Sequence, residues 1–247
     1  AFLANKYPTA NITAVDISGK MLSRAKATLG DVTRVQFVQG DMLRYLESQP
    51  GQSCDLVFSA WAIGYSVPAK IIAESYRVLR PGGTLAVIVN RLSTMPAVFA
   101  AFRKTMRAFP ASLEKALWPH SRYFGQPCFP RSAGEIKSYL NRHAFRVELL
   151  EEGIAPITPP DQTNNSTDDQ AGSQPSKRLD WLLGTGVLAG FDSVLPLQPR
   201  PEIDGSDSAT EMRRFFEREL DAATNGWEHH YVMFMARNAW SDTEMLE

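Results

Sequence analysis

The sequence predicts an α/β fold with a parallel sheet covered by helices on both faces, and three observations carry that prediction. Across the first half of the 247 residues, short β-rich apolar runs alternate with helical patterns. One of those runs, CDLVFS at 54–59, reads as a fully buried strand. At 44% hydrophobic and 21% charged, the chain has the composition of a globular protein that buries a real core, which excludes disorder, collagen and disulfide scaffolds.

The elements follow in order. NITAVD at 11–16 is a strand, and Ser18 is placed to cap a helix from Gly19 to about Leu29. Val35 to Val38 is the next strand, running into Gln39-Gly40-Asp41, and a short helix from Met42 to about Glu47 comes before the strand at 54–59. Pro68 is tolerated in the first turn of a helix that extends to Leu79. Arg80-Pro81-Gly82-Gly83 stops that helix, and Thr84 to Asn90 is a further strand.

Beyond Asn90 the alternation breaks. Residues 94–118 carry Val98, Phe99, Phe102, Met106, Phe109, Leu113 and Leu117 at helical spacing, and an aromatic loop with Tyr123, Phe124 and Phe129 follows. Ser132 and Glu135 form a capping box for a helix to about His143, and Phe145 to Ile154 is a strand. Residues 161–178 are polar and read as a flexible loop. A second capping box, Ser208 with Glu211, opens a helix to about Thr224 that Asn225-Gly226 ends, and Glu228 to Arg237 is the last strand. The whole is expected to be one domain, 1–247, with insertions at 91–130, a helix packed on the core or a lid over an apolar ligand, and at 155–227.

Charge narrows the partners. The 26 Lys and Arg balance 27 Asp and Glu, so no basic field recruits nucleic acid or anionic lipid. The longest mainly apolar stretch, Trp181 to Phe191, falls far short of the roughly 20 residues of a membrane span. Two cysteines, Cys54 and Cys128, are too few for a disulfide framework or a metal cluster and fit a reducing cytosol.

Two acids stand where an open α/β sheet places its ligand crevice, outside the carboxyl ends of the strands. Asp16 ends one strand and Asp41 follows the next. Each can accept charge-assisted hydrogen bonds from ligand hydroxyl or amino groups, and each can equally cap the helix that follows it.

The order ITAVDIS, VQGDM, CDLVFSAWAIGY and a helix ending VLRPGGTLAVIV, across residues 1 to about 90, resembles the class I S-adenosylmethionine-dependent methyltransferases. The resemblance implies a Rossmann-like doubly wound sheet closed by an antiparallel pair, supplied by Phe145–Ile154 and Glu228–Arg237. It also implies S-adenosylmethionine as cofactor. Asp16 would hold its ribose hydroxyls with Ile17 beside the adenine. Asp41 would take the adenine amino group, with Met42 offering its backbone N–H and apolar cover, and Ser59, Ala60 and Trp61 would face the methionine portion.

The family's first strand and its glycine-rich loop have no counterpart in the chain, which starts Ala-Phe-Leu with no initiator Met. The chain is therefore expected to be an inactive fragment, lacking roughly 30 residues or more, with a gap where that central strand would lie. The alternative is a degenerate, non-catalytic binding protein.

The implied reaction is methyl transfer to a small, apolar or uncharged acceptor in the cytoplasm. Nucleic acid is disfavoured as the acceptor. A nicotinamide-dependent oxidoreductase is the competing enzyme class, because an acid after the second strand also binds the ribose of NAD. If a base is needed, His120 is the first candidate, followed by His229, His230, Tyr65 and Tyr123. His229 and His230 are consecutive on a strand, so they point to opposite faces and are expected at the surface or in sheet packing.

Overall fold

A computed structural model of the chain describes residues 2–30, 32–110, 128–157, 179, 182 and 207–239. These belong to two compact units, one made of Ala1–Val89, Cys128–Glu152 and Val232–Glu247, the other of Asn90–Pro127 and Gly153–Tyr231.

In the first unit, helix α1 (Phe2–Lys6) precedes β1 (Ile12–Asp16), α2 (Gly19–Leu29), β2 (Val35–Gln39) and α3 (Met42–Ser48). Strands β1 and β2 pair in parallel from Ile12 with Val35 to Asp16 with Gln39. Ser18 caps α2 as predicted, its Oγ accepting the Met21 N–H at 3.3 Å. Strand β3 (Cys54–Ala60), a 3-10 turn (Ile63–Tyr65), α4 (Pro68–Val78) and β4 (Leu79–Asn90) come next. Arg77 of α4 donates to the carbonyls of Leu46 and Gln49, both at 2.8 Å, and so satisfies the C-terminal end of α3.

Helix α4 stops where Arg80-Pro81-Gly82-Gly83 requires, but this tetrapeptide is not a free loop. It bulges out of β4: Cys54 pairs with Leu79 and Leu56 already pairs with Thr84. Gly82 takes a positive φ of 77° there.

After α5 (Pro96–Ala108), α6 (Ala133–Leu140), β5 (Phe145–Pro156), α7 (Asp207–Asp221) and β6 (Glu228–Asn238) complete the described elements. Ile157 N–H bonds the Trp227 carbonyl and Ala239 N–H the Ala144 carbonyl, so β5 and β6 run antiparallel, as the sequence expects. The Ser132 capping box does not form. Glu135 instead accepts the Arg131 N–H at 2.9 Å, and the Ala133 N–H goes to Glu152 at 2.6 Å.

The strands form two sheets, β1-β2 and β3-β4-β6-β5, with β1 and β3 each at an edge. That placement leaves one side of β3 without a neighbouring strand among the described residues. It overturns the fully buried reading of β3, because an edge strand is covered less well than a central one. Leu56 and Phe58, on one face of that strand, are 40% and 53% exposed. The core of this unit lies on β4 and β6, where Leu85, Val87, Val89, Val232, Phe234 and Ala236 pack with Ile71, Ile72 and Ile136.

The second unit has its own core. Val98 and Ala101 of α5 pack with Met212, Phe216 and Leu220 of α7 and with Leu179, Leu182 and Trp227. Helix α5 occupies part of the predicted 94–118 helix, of which residues 111–118 lie outside the described residues, as does the loop 161–178. Gly226 ends the connection after α7 at φ 79°, and a Cβ there would sit 3.0 Å from the Ala97 nitrogen, so both conformation and space demand glycine.

Candidate functional site

Strands β1 and β2 place two acids side by side at their carboxyl ends. Asp16 pairs with Gln39, and the Gly40 N–H bonds the Asp16 carbonyl at 3.0 Å, which sets Asp41 one residue further on. Each carboxylate is half engaged by backbone. Asp16 Oδ1 accepts the Ser18 N–H at 2.8 Å, and Asp41 Oδ1 accepts the Arg44 N–H at 3.0 Å. The Oδ2 atoms make no hydrogen bond among the described residues. Capping and ligand binding are thus compatible, because a carboxylate has two acceptor oxygens. Ile17 is 70% exposed beside Asp16, a large apolar side chain left in solvent at a strand end. Met42, the first residue of α3, packs against the core of the four-stranded sheet.

Ser59 and Ala60 end β3, paired with Val87 and Ile88 of β4. Trp61 follows with φ 59°, a left-handed conformation that a bulky residue rarely adopts, and its N–H is held by the Ile88 carbonyl at 2.7 Å. Strain of this kind clusters at ligand sites and switch regions. Ser59 and Ala60 lie on a different sheet from Asp16. Tyr65 closes the next turn, edge-on to Phe129 at 5.4 Å between ring centroids. Phe129 also fills the space over Gly64, where any Cβ would collide with its ring.

At the far end of β4 the second unit contains a polar network that the sequence does not announce. Asn90, 4% exposed, accepts at Oδ1 from the Thr94 hydroxyl at 3.1 Å and faces His229 Nδ1 at 3.1 Å. Thr94, 1% exposed, accepts the backbone N–H of His230 at 3.2 Å. The His230 ring turns elsewhere, with Nδ1 2.8 Å from Ser93 Oγ and Nε2 3.3 Å from Glu228.

The two histidines part company as the strand period requires, with the His229 ring turned toward Asn90 and the His230 ring toward Ser93. His229 is half-buried in a side-chain network, and burial pushes its pKa below the ordinary histidine value. The sequence missed Asn90 and Thr94. Its one available signal was a polar residue closing the apolar strand TLAVIVN. His120 and Tyr123 lie outside the described residues.

Known proteins resemble the chain along most of its length. Residues 1–87 match the family described as a methyltransferase domain. The trans-aconitate 2-methyltransferase of Azoarcus sp. (strain BH72) is 32% identical over 225 residues, which cover 90% of this chain and 73% of that protein. The chain belongs to the class I S-adenosylmethionine-dependent methyltransferases.

Another relative of this methyltransferase, "Probable methyltransferase ltbC" of Aspergillus luteorubrus, is 36% identical over 93 residues, 33% of this chain and only 32% of that one. The crystal structure of an S-adenosylmethionine dependent methyltransferase from Mesorhizobium loti covers 96% of this chain and 84% of that one, with a TM-score of 0.45 at 16% identity. Among the described residues of this methyltransferase, no helix is long and apolar enough to cross a membrane, and no group of three or more His, Cys, Asp or Glu could hold a metal ion.

Proposed function

We propose that this protein transfers a methyl group from S-adenosylmethionine to a small, apolar or uncharged acceptor in the cytoplasm. The supporting observation is the pair of half-engaged carboxylates at the ends of β1 and β2. Their donor chemistry fits the cofactor: Asp16 Oδ2 takes ribose hydroxyls, Asp41 Oδ2 takes the adenine amino group, and Ile17 and Met42 offer apolar cover to the ring. Ser59, Ala60 and Trp61 face the methionine portion.

When bound, the cofactor supplies a methyl group activated by its sulfonium. The protein's part is to bind, to orient the acceptor in line and to exclude water. The near-zero net charge favours an uncharged acceptor over a polyanion, and the two free thiols, Cys54 and Cys128, fit a reducing compartment.

A second reading of the acceptor has its own support. A relative that matches most of the chain is named for trans-aconitate, a carboxylate, so methyl ester formation is the alternative. Calorimetric titration with S-adenosylmethionine tests the cofactor assignment. Micromolar binding that weakens at least tenfold in Asp16→Ala is the expected result, and equal affinity in both proteins overturns it.

A further inference from the structure

The turn at 91–95 and the first residues of β6 are tied to each other through the backbone. The Arg91 N–H bonds the His230 carbonyl at 2.7 Å, the Met95 N–H bonds the Glu228 carbonyl at 2.8 Å, and the His230 N–H goes to Thr94 Oγ1 at 3.2 Å. Glu228 and His230, two apart on a strand, present their side chains on the same face. There the His230 ring lies between two groups, with Nδ1 2.8 Å from Ser93 Oγ and Nε2 3.3 Å from the Glu228 carboxylate. All of these residues belong to the second compact unit.

The partners set the direction of the hydrogen bonds. A carboxylate only accepts, so in the neutral ring the proton sits on Nε2, toward Glu228, and Nδ1 keeps its lone pair. The Ser93 hydroxyl therefore donates to Nδ1. Ser93 is exposed, whereas the side chains of His230 and Glu228 are only 19% and 32% exposed, so the oxygen is open to a ligand and the groups behind it are shielded. Two residues on, Met95 holds a left-handed φ of 46°, a conformation uncommon outside glycine and concentrated at functional sites. On the other side of Ser93, Leu92 leaves an apolar side chain 53% exposed.

We propose that Ser93 is an activated nucleophile that hydrolyses small carboxylic esters with an apolar acyl group, an activity that needs no S-adenosylmethionine. A hydroxyl bonded to a base that a third group orients is the arrangement that makes serine nucleophilic. Ser93 Oγ bonds to the ester carbonyl carbon as its proton passes to His230 Nδ1, and the carbonyl π electrons move onto oxygen. They return as the bond from carbon to the alcohol oxygen breaks, and the alcohol leaves with the proton from Nδ1. Water then adds to the acyl carbon in the same way, its proton passing through Nδ1 to Ser93 Oγ as the free acid departs. Ser93 and His230 are the catalytic residues, and Glu228 acts through His230 as a positioning residue.

The full chain, with no cofactor added, is treated with an alkyl fluorophosphonate, whose phosphorus takes up a serine oxygen and loses fluoride, and the adduct is placed by peptide mass mapping. An adduct at Ser93 is expected. No adduct, or one that maps only elsewhere, overturns the proposal.

Turnover of p-nitrophenyl butyrate supplies the second arm. Ser93→Ala, a substitution at an exposed position that should leave the melting temperature in place, is expected to remove turnover above the uncatalysed rate. His230→Gln should lower kcat by roughly 100-fold or more, as for loss of a general base. Glu228→Gln should lower kcat with KM unchanged, and Glu228→Asp should recover part of the loss. Turnover in Ser93→Ala or His230→Gln within about twofold of wild type overturns the proposal, because neither the nucleophile nor the base would then be in use.

Discussion

Two polar sets at strand ends solve the same problem in different ways. At β1 and β2 the acids sit at the strand ends, and each satisfies one oxygen with a backbone N–H two or three residues on. At the end of β4, Asn90 and Thr94 are buried and satisfied by side chains and backbone from the distant strand β6. The first arrangement is local, cheap to build and able to spare an acceptor for a ligand. The second is long-range, costly if broken, and spends its hydrogen bonds on holding a ring in one orientation.

The largest effect expected from this contrast is in the buried set. Asn90→Ala strips the acceptor from the Thr94 hydroxyl and from His229 Nδ1, leaving donors unpaired in a buried place. Thermal or urea unfolding should show a loss of about 2–4 kcal/mol, since each unsatisfied buried donor costs about 1–3 kcal/mol. A loss near zero would mean that the network is not formed.

Next in size is Asp16→Ala. Losing a charge-assisted bond of about 1.5–3 kcal/mol should weaken S-adenosylmethionine at least tenfold in calorimetry, while the melting temperature moves little, because only one local cap bond goes with it. Asp41→Ala should do less to binding and more to the fold. It removes the N-cap of α3, worth about 1 kcal/mol, whereas Asp41→Asn keeps a capping oxygen and should recover most of that stability. Denaturation midpoints of the three proteins separate the capping role from the ligand role.

The same contrast explains what could be read from sequence. Strands β1 to β3, helices α2 to α4 and the β5–β6 pair are specified by period, caps and punctuation within a few residues, and they appear with nearly the predicted bounds. Asp16 and Asp41 were legible because a strand end and a following helix are local facts. Asn90 and His229 were not, because they meet only once β6 is laid beside β4, and their separation of 139 positions leaves no periodic trace. The failed capping box at Ser132 has the same origin: Glu152, 19 residues away on β5, takes the Ala133 N–H. The bulge at Arg80–Gly83 was hidden by residues that signal a turn equally well.

The smallest expected effect is a pH dependence that belongs to His229 alone. Its pKa in the folded protein lies below the ordinary value of 6.5, because burial disfavours the imidazolium. Between the two values the unfolded chain binds a proton that the folded chain refuses. Stability therefore falls as pH drops through 6.5, is lost fully below the folded pKa, and gains nothing above 6.5. Glu135 and Glu148 are displaced the other way, below 4.5, by hydrogen bonds to their carboxylates, so their own losses begin at more acid pH. Melting temperatures at pH 7.5, 6.5 and 5.5 isolate the histidine: the wild-type advantage over His229→Gln should narrow as the pH falls. A gap that stays constant across this window would mean that His229 is protonated equally in both states, contrary to the lowered pKa of a half-buried imidazole that faces Asn90.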